Sequence, residues 1–150
     1  MCPYRLVLGG SFTLLIKQVV IKSSSGFCSV HDAYVDKLTV TRDGISYEVK
    51  PEVESPHNPR RRWSYKTDSV SYGEWCNKVF GMVGEIVLME DDLCICDAGS
   101  ASYVVTYDDK SKRTKISDLP TWYHAELFQL IREMVPPWEI CYMVESGDEE

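Results

Sequence analysis

The sequence predicts an α+β fold: a mostly antiparallel sheet of about five to seven strands, covered on one face by two amphipathic helices near residues 71–87 and 120–135. Two observations carry this prediction. Runs that alternate apolar and polar residues occur in pairs joined by turn residues, which is the pattern of β-hairpins. Elsewhere, apolar residues recur at the three-to-four-residue spacing of a helix that is buried on one side.

The first half of the chain contains the clearest strand signals. Residues 12–22 are rich in β-branched and aromatic side chains and predict a strand. Asp43-Gly44 joins two alternating runs, 38–42 and 45–49, and predicts a hairpin with a type I′ turn, whose two central residues need positive φ. Residues 62–66 predict a further strand with Trp63 and Tyr65 on one face.

The second half adds a hairpin and the second helix. Residues 103–107 and 113–116 alternate around a polar loop and predict two further strands. Ser117 or Asp118 can cap the following helix, which Pro136-Pro137 then ends. Residues 138–144 are expected to add a last edge strand. The two helical stripes are formed by Tyr72, Trp75, Cys76, Val79, Phe80, Met82, Val83 and Ile86, and by Tyr123, Leu127, Leu130, Ile131 and Met134.

Length indicates a single domain over residues 1–150, since 150 residues is an ordinary size for one hydrophobic core. Two interpretations remain open at the N-terminus. Gly9-Gly10 separates residues 1–11 from the strand that follows, which makes them peripheral to the folded unit, or else Tyr4–Leu8 forms an extra edge strand. Residues 145–150 are expected to be a flexible acidic tail.

Charge is distributed unevenly along the chain. The net charge is −7, yet residues 1–66 hold ten basic residues against six acidic ones, while residues 67–150 hold six against seventeen. If the two halves occupied different faces after folding, the protein would be an electrostatic dipole. The negative total argues against general nucleic-acid binding.

The cysteines and the hydropathy pattern bear on location. Six scattered cysteines do not form the dense framework of a small secreted domain, and no apolar run approaches the roughly 20 residues that span a bilayer. We therefore expect no membrane association and a cytoplasmic protein with reduced thiols. Secretion is the minor alternative, because residues 6–16 form an apolar stretch interrupted by the Gly pair.

Two groups of residues are candidates for thiol chemistry. Cys28 and His31 are residue types of a nucleophile and a base, and Cys94 and Cys96 would point both sulfurs to one side of a strand. Buried or unrelated thiols are the favoured interpretation of both groups. No second closely spaced Cys pair supports a metal site, and catalytic groups are usually brought together by the fold rather than by adjacency.

Arg60, Arg61, Arg62 and Trp63 form a candidate interaction site, since cations beside an aromatic ring are the features that a single-strand nucleic-acid binder uses, and arginine and tryptophan also dominate protein interfaces. An ordinary solvated strand edge is the competing interpretation.

The function expected from these patterns is that of a small, soluble, non-catalytic protein-binding domain, accessory or inhibitor-like, with no cofactor and with another protein as partner. One alternative is a cysteine-dependent or metal-binding enzyme that uses Cys28 and His31 or Cys94 and Cys96. A second is an inhibitor whose acidic half imitates nucleic acid.

Overall fold

A computed structural model describes residues 5–8, 12–25, 28–88, 101–117 and 124–144. Within these ranges the chain forms one sheet, two α-helices and a short 3-10 helix. The elements are β1 (Arg5–Leu8), β2 (Phe12–Ser24), β3 (Tyr34–Thr41), β4 (Gly44–Pro51), β5 (Arg61–Lys66), α1 (Val70–Ile86), β6 (Ala101–Tyr107), β7 (Lys112–Ser117), α2 (Ala125–Met134) and the 3-10 helix Tyr142–Val144.

The sheet is antiparallel throughout, with strand order β5-β4-β3-β2-β6-β7. The predicted α+β class, with two helices packed on an antiparallel sheet, is confirmed. β1 pairs with residues 12–15 of β2, ahead of the section of β2 that pairs with β3 and β6. This is the extra N-terminal strand of the second interpretation.

The core lies against one face of the sheet. The strand register places side chains that point to the same face, and so have the same phase, next to one another. Val19 of β2 therefore lies opposite Val40 of β3 and Val105 of β6. The helices cover this face, and the Tyr72 hydroxyl of α1 donates to the Thr41 carbonyl oxygen at 2.7 Å. The largest fully buried side chains of the core are Tyr47, Tyr103, Phe80, Ile16, Ile21, Leu38, Leu127 and Ile131.

The β3–β4 hairpin is confirmed, but its turn differs from the predicted one. Thr41 pairs with Gly44, so the turn residues are Arg42 and Asp43. Neither has a positive φ, which excludes the expected type I′ turn. Gly44 belongs instead to β4 and pairs with β5. A Cβ atom there would stand 2.3 Å from the Tyr65 carbonyl oxygen, so the close approach of β5 requires glycine.

The segment after α2 is not a strand, and the edge strand predicted for residues 138–144 is wrong. The segment turns and ends in the 3-10 helix. Side chains of the sheet hold its backbone in place of a strand partner. Trp63 Nε1 donates to the Ile140 carbonyl oxygen at 2.7 Å, and the Tyr142 N–H donates to the Tyr47 hydroxyl oxygen at 2.9 Å.

Other expectations fall on residues outside the described ranges. Helix α2 begins at Ala125 with His124 at its N-cap, and no side chain of the described residues caps it, so the capping role predicted for Ser117 or Asp118 is wrong. Ser117 is the last residue of β7, and Asp118 lies in the undescribed stretch that follows. The acidic tail 145–150 also lies outside. Among the described helices, none is long and apolar enough to cross a membrane.

Candidate functional site

The face of the sheet opposite the core, here called the open face, is not covered by either of the two described helices. Its residues alternate with the core residues along β2 to β7. In the described strands none of them is buried except Gly44, and Val35 and Ile116 are strongly exposed. Polar and apolar side chains are mixed across its centre.

Charge on the open face is almost entirely of one sign. Register places six cationic side chains there against the single carboxylate of Glu48: Lys22, Lys37, Lys50, Arg62, Lys66 and Lys112. Lys22 lies directly opposite Lys37, and like charges in that arrangement destabilise a sheet. Glu48 lies between Lys37 and Arg62, with the Lys50 Nζ 4.0 Å from its Oε2. The face therefore keeps a positive potential at some expense of stability.

The shape of the open face includes two shallow depressions that share Lys37 and Glu48. One measures about 460 Å³ and extends towards Lys22 and Lys50. The other measures about 490 Å³ and extends towards Arg62. Both are open to solvent, so they are shallow depressions of a broad surface and not an enclosed ligand cavity.

The two helices themselves carry more acidic than basic side chains. The described helices carry four exposed glutamates, Glu74, Glu85, Glu126 and Glu133, against the two cations Lys78 and Arg132. Four further cations lie on the helical side: Arg42, which contacts Asn77 and Phe80 of α1, and Arg61, Arg113 and Lys115, which have the phase of the core residues. The two sides of the sheet therefore do not carry opposite charge. The condition for a dipole between the chain halves is not met on the open face either, since Lys112 comes from the acidic half. More than half of the acidic residues of 67–150 lie outside the described ranges, so the nucleic-acid-mimic alternative stays a prediction.

The four residues of the candidate interaction site are divided between surfaces. Arg62 points to the open face, whereas Arg61 and Trp63 have the phase of the core face. The predicted common face of Trp63 and Tyr65 is confirmed, because they pair with the core residues Tyr47 and Ile45. Arg61 Nε donates to the Tyr142 hydroxyl at 3.3 Å. Arg61 and Trp63 therefore hold the C-terminal segment.

A pocket of about 310 Å³ nevertheless gathers this group at the β5 edge. Arg60, Arg61, Arg62 and Trp63 line it together with Trp138, Glu139 and Ile140. Trp138 is 70% exposed, and its ring meets that of Tyr65 edge to face at 6.0 Å. Sequence reasoning assigned Trp138 to a strand and missed this contact, because the partner of Trp138 lies far away in the chain.

Asp36 is a buried carboxylate that sequence reasoning also missed. It is 3% exposed and lies on the core face, in phase with Leu38. Ser23 Oγ donates to its Oδ1 and the Tyr47 hydroxyl donates to its Oδ2, both at 2.6 Å. The Tyr142 N–H completes this hydrogen-bond network by donating to the Tyr47 hydroxyl oxygen. The network joins the three strands β2, β3 and β4 to the C-terminal segment.

Burial dominates the titration of this network. It raises the pKa of Asp36 above the ordinary 3.8, although the hydrogen bonds from Ser23 and Tyr47 oppose the shift. Burial and the nearby Asp36 charge raise the pKa of Tyr34 to about 12. The same two causes, burial first, raise the pKa of Tyr47, so its hydroxyl stays a donor at neutral pH.

We compare the free energy of unfolding of the wild type with that of the Asp36→Asn variant. The difference, wild type minus variant, is expected to fall as pH rises. The folded protein holds the Asp36 proton more tightly than the unfolded chain does. The stabilisation from the protonated carboxyl is therefore complete below pH 3.8 and is lost as pH rises through the folded-state pKa. Urea unfolding of both proteins from acidic to neutral pH measures the difference. A difference that grows with pH would mean that the two hydrogen bonds outweigh burial.

The thiol candidates are not brought together in the described ranges. Cys28 is exposed, and its hydrogen-bond partner is Ser25, at 3.4 Å from Sγ to Oγ. His31 forms no described contact with it. Cys94 and Cys96 lie outside the described residues. The buried Cys76 has its pKa raised to about 11 by burial, although Arg42 opposes the shift, which is the reverse of what a nucleophile needs.

Native labelling with a maleimide at pH 7 is expected to modify Cys28 rapidly and Cys76 and Cys141 only on unfolding, because both of those are fully buried. Peptide mapping by mass spectrometry identifies the sites. Rapid native labelling of Cys76 would contradict this burial. A single cysteine that reacts near pH 6 while the others stay silent would favour the enzyme alternative.

Groups of three or more His, Cys, Asp and Glu side chains that could hold a metal ion do not occur in the part of the chain that the structure describes. Comparison of the chain with protein-family models, with curated proteins and with solved structures found no match.

Proposed function

We propose that this chain is a non-catalytic domain that binds an acidic surface of another protein through the open face. The observation that carries the proposal is the ratio of six cations to one carboxylate, counted over the described strands, on a face that neither of the two described helices covers. Such a face attracts and orients an acidic partner, and the valines among its cations supply apolar contact.

A protein fits this face better than a nucleic acid does. Among the residues that register places on the open face none is aromatic, whereas single-strand binders stack bases on aromatic rings. The net charge of −7 would oppose the long-range approach of a polyanion. A protein partner needs only a local acidic patch.

The proposed role is accessory or inhibitor-like, because a broad and shallow surface acts by occupying its partner. A cytoplasmic location is proposed with it. Cys28 and Cys76 are thiols that take part in no disulfide, which suits a reducing compartment.

The test is affinity capture from native extract with the wild type and two charge-reversed variants. The double variant Lys22→Glu and Lys112→Glu reverses two charges of the open face at positions outside β5. Lys78→Glu with Lys110→Glu makes the same charge change at exposed positions elsewhere. Replacing Lys22 also removes the like-charge pair with Lys37, so the open-face variant is expected to fold normally.

The expected result is a protein that survives nuclease treatment, binds the wild type and the control variant, weakens with added salt, and is lost from the open-face variant. Equal capture by both variants would overturn the proposal. Capture that disappears with nuclease treatment would assign the face to nucleic acid instead.

A further inference from the structure

β5 ends the strand order and has an unpaired backbone edge among the described strands. The Thr67 N–H donates to the Asp43 carbonyl oxygen at 3.0 Å, continuing the register of the β4–β5 pair. Because hydrogen-bonded and non-bonded pairs alternate in an antiparallel ladder, the N–H and C=O groups of Arg62, Ser64 and Lys66 point away from β4. These groups can pair with another strand.

Large aromatic and cationic side chains surround this edge. The pocket of about 310 Å³ lies beside it, with Trp63 and the exposed Trp138 in its lining. Arg60 and Arg62 line the same pocket, are exposed, and form no ion pair with a carboxylate of the described residues. Tryptophan and arginine are the residues that most often dominate the energy of an interface.

We propose that β5 binds an extended peptide segment of a partner protein as an additional strand of the sheet. The segment alternates acidic residues with large apolar ones. Its main chain pairs with the outward groups of β5, which is a recurring mode of peptide recognition. This surface is distinct from the centre of the open face, and the inference does not need the partner proposed above.

The alternation follows from the two sides of the strand. A peptide residue beside Arg62 points to the open face, where carboxylates can accept hydrogen bonds from the guanidinium. The next residue points to the other side, towards the pocket of Trp63 and Trp138. An acidic residue therefore suits the first position and an aromatic or branched apolar residue suits the second.

The same charges disfavour a second copy of this chain as the occupant. Pairing two β5 strands would bring the arginines of one copy against those of the other, and like charges on an edge are a common protection against self-pairing. Charge complementarity thus selects an acidic segment.

The test is selection of a phage-displayed library of random peptides on the full chain. Ser64→Pro is the blocking variant. It removes an outward N–H of β5, and proline is tolerated on an edge strand where the N–H faces solvent. Trp138→Ala removes the exposed pocket ring, and Ile116→Ala is its control, since both side chains are 70% exposed and Ile116 lies on β7 at the opposite edge.

The expected result is enrichment of peptides that alternate acidic and apolar residues. Their dissociation constant, measured by fluorescence anisotropy, rises about tenfold or more with Trp138→Ala. It stays within about twofold with Ile116→Ala, and binding is lost with Ser64→Pro. Thermal unfolding confirms that each variant is folded.

Failure to enrich such peptides, or equal binding to folded Ser64→Pro, would overturn the inference. Peptides lost with Lys22→Glu and Lys112→Glu but retained by Ser64→Pro would overturn it while supporting the open-face proposal. The two proposals therefore fail separately.

Discussion

A Gly44→Ala variant is expected to unfold with a free energy about 3 kcal/mol below that of the wild type, which is the upper range for an atom forced into a packed site. The added Cβ would lie 2.3 Å from the Tyr65 carbonyl oxygen and 3.0 Å from the Lys66 Cα. Both are backbone atoms, so no flexible side chain can move aside. Either β5 separates from β4 or the hairpin distorts.

Gly73→Ala provides the matched control for this prediction. Gly73 lies in α1, and a methyl group added there would have no atom within 4 Å apart from its chain neighbours and the backbone of its own helix, so the same chemical change meets open space. Alanine in a helix is about 0.5–1 kcal/mol more favourable than glycine, so this variant is expected to be more stable. Urea unfolding of the three proteins measures both shifts. Similar effects at the two sites would contradict the steric explanation.

A Tyr47→Phe variant is expected to lose about 3 kcal/mol of stability at neutral pH, because hydrogen bonds to charged groups contribute about 1.5–3 kcal/mol and a second bond is lost with the first. The Tyr47 hydroxyl is the donor to the Asp36 carboxylate and the acceptor of the Tyr142 N–H. Phenylalanine keeps the ring in the core but leaves both partners without this contact.

Tyr72→Phe removes the same atom from a different setting. The Tyr72 hydroxyl donates to the uncharged Thr41 carbonyl oxygen, and the ring is equally part of the core. The expected loss is about 1 kcal/mol, the value for an ordinary hydrogen bond. Chemical denaturation of both variants distinguishes the two losses of unfolding free energy, provided that the m-values are unchanged. If Tyr47→Phe lost no more than Tyr72→Phe, the buried carboxylate network would contribute little to the fold.

Local pattern was sufficient for most elements of the fold. The alternation around Leu38 and Ile45 predicted the two strands of the hairpin and their buried faces, and the stripe from Tyr72 to Ile86 predicted α1, because both signals depend on neighbours in the chain. The predicted turn type was wrong because Gly44 is not a turn residue: it permits the close approach of β5, which local pattern does not reveal. The strand predicted for residues 138–144 was wrong because the side chains that hold this segment, Tyr47 and Trp63, are remote in sequence.

The site was less predictable for the same reason. Asp36 has the phase of Leu38 and Val40, so alternation alone could have placed this acid in the core. The open face required the pairing of six strands, since its cations come from β2, β3, β4, β5 and β7. The cluster at Arg60–Trp63 was visible in the sequence, but its division between two surfaces follows only from the strand phase.

The position of β2 in the sheet affects how the chain folds during synthesis. β3, β4 and β5 follow β2 directly, so these four strands can form a meander as soon as they leave the ribosome. β6 emerges only after α1, and until then the other side of β2 lacks its partner along Ile16–Ser23. This edge carries Val19 and Ile21, which makes the nascent chain prone to pair with other chains. A product that ends before residue 101 would expose the edge permanently and is expected to aggregate.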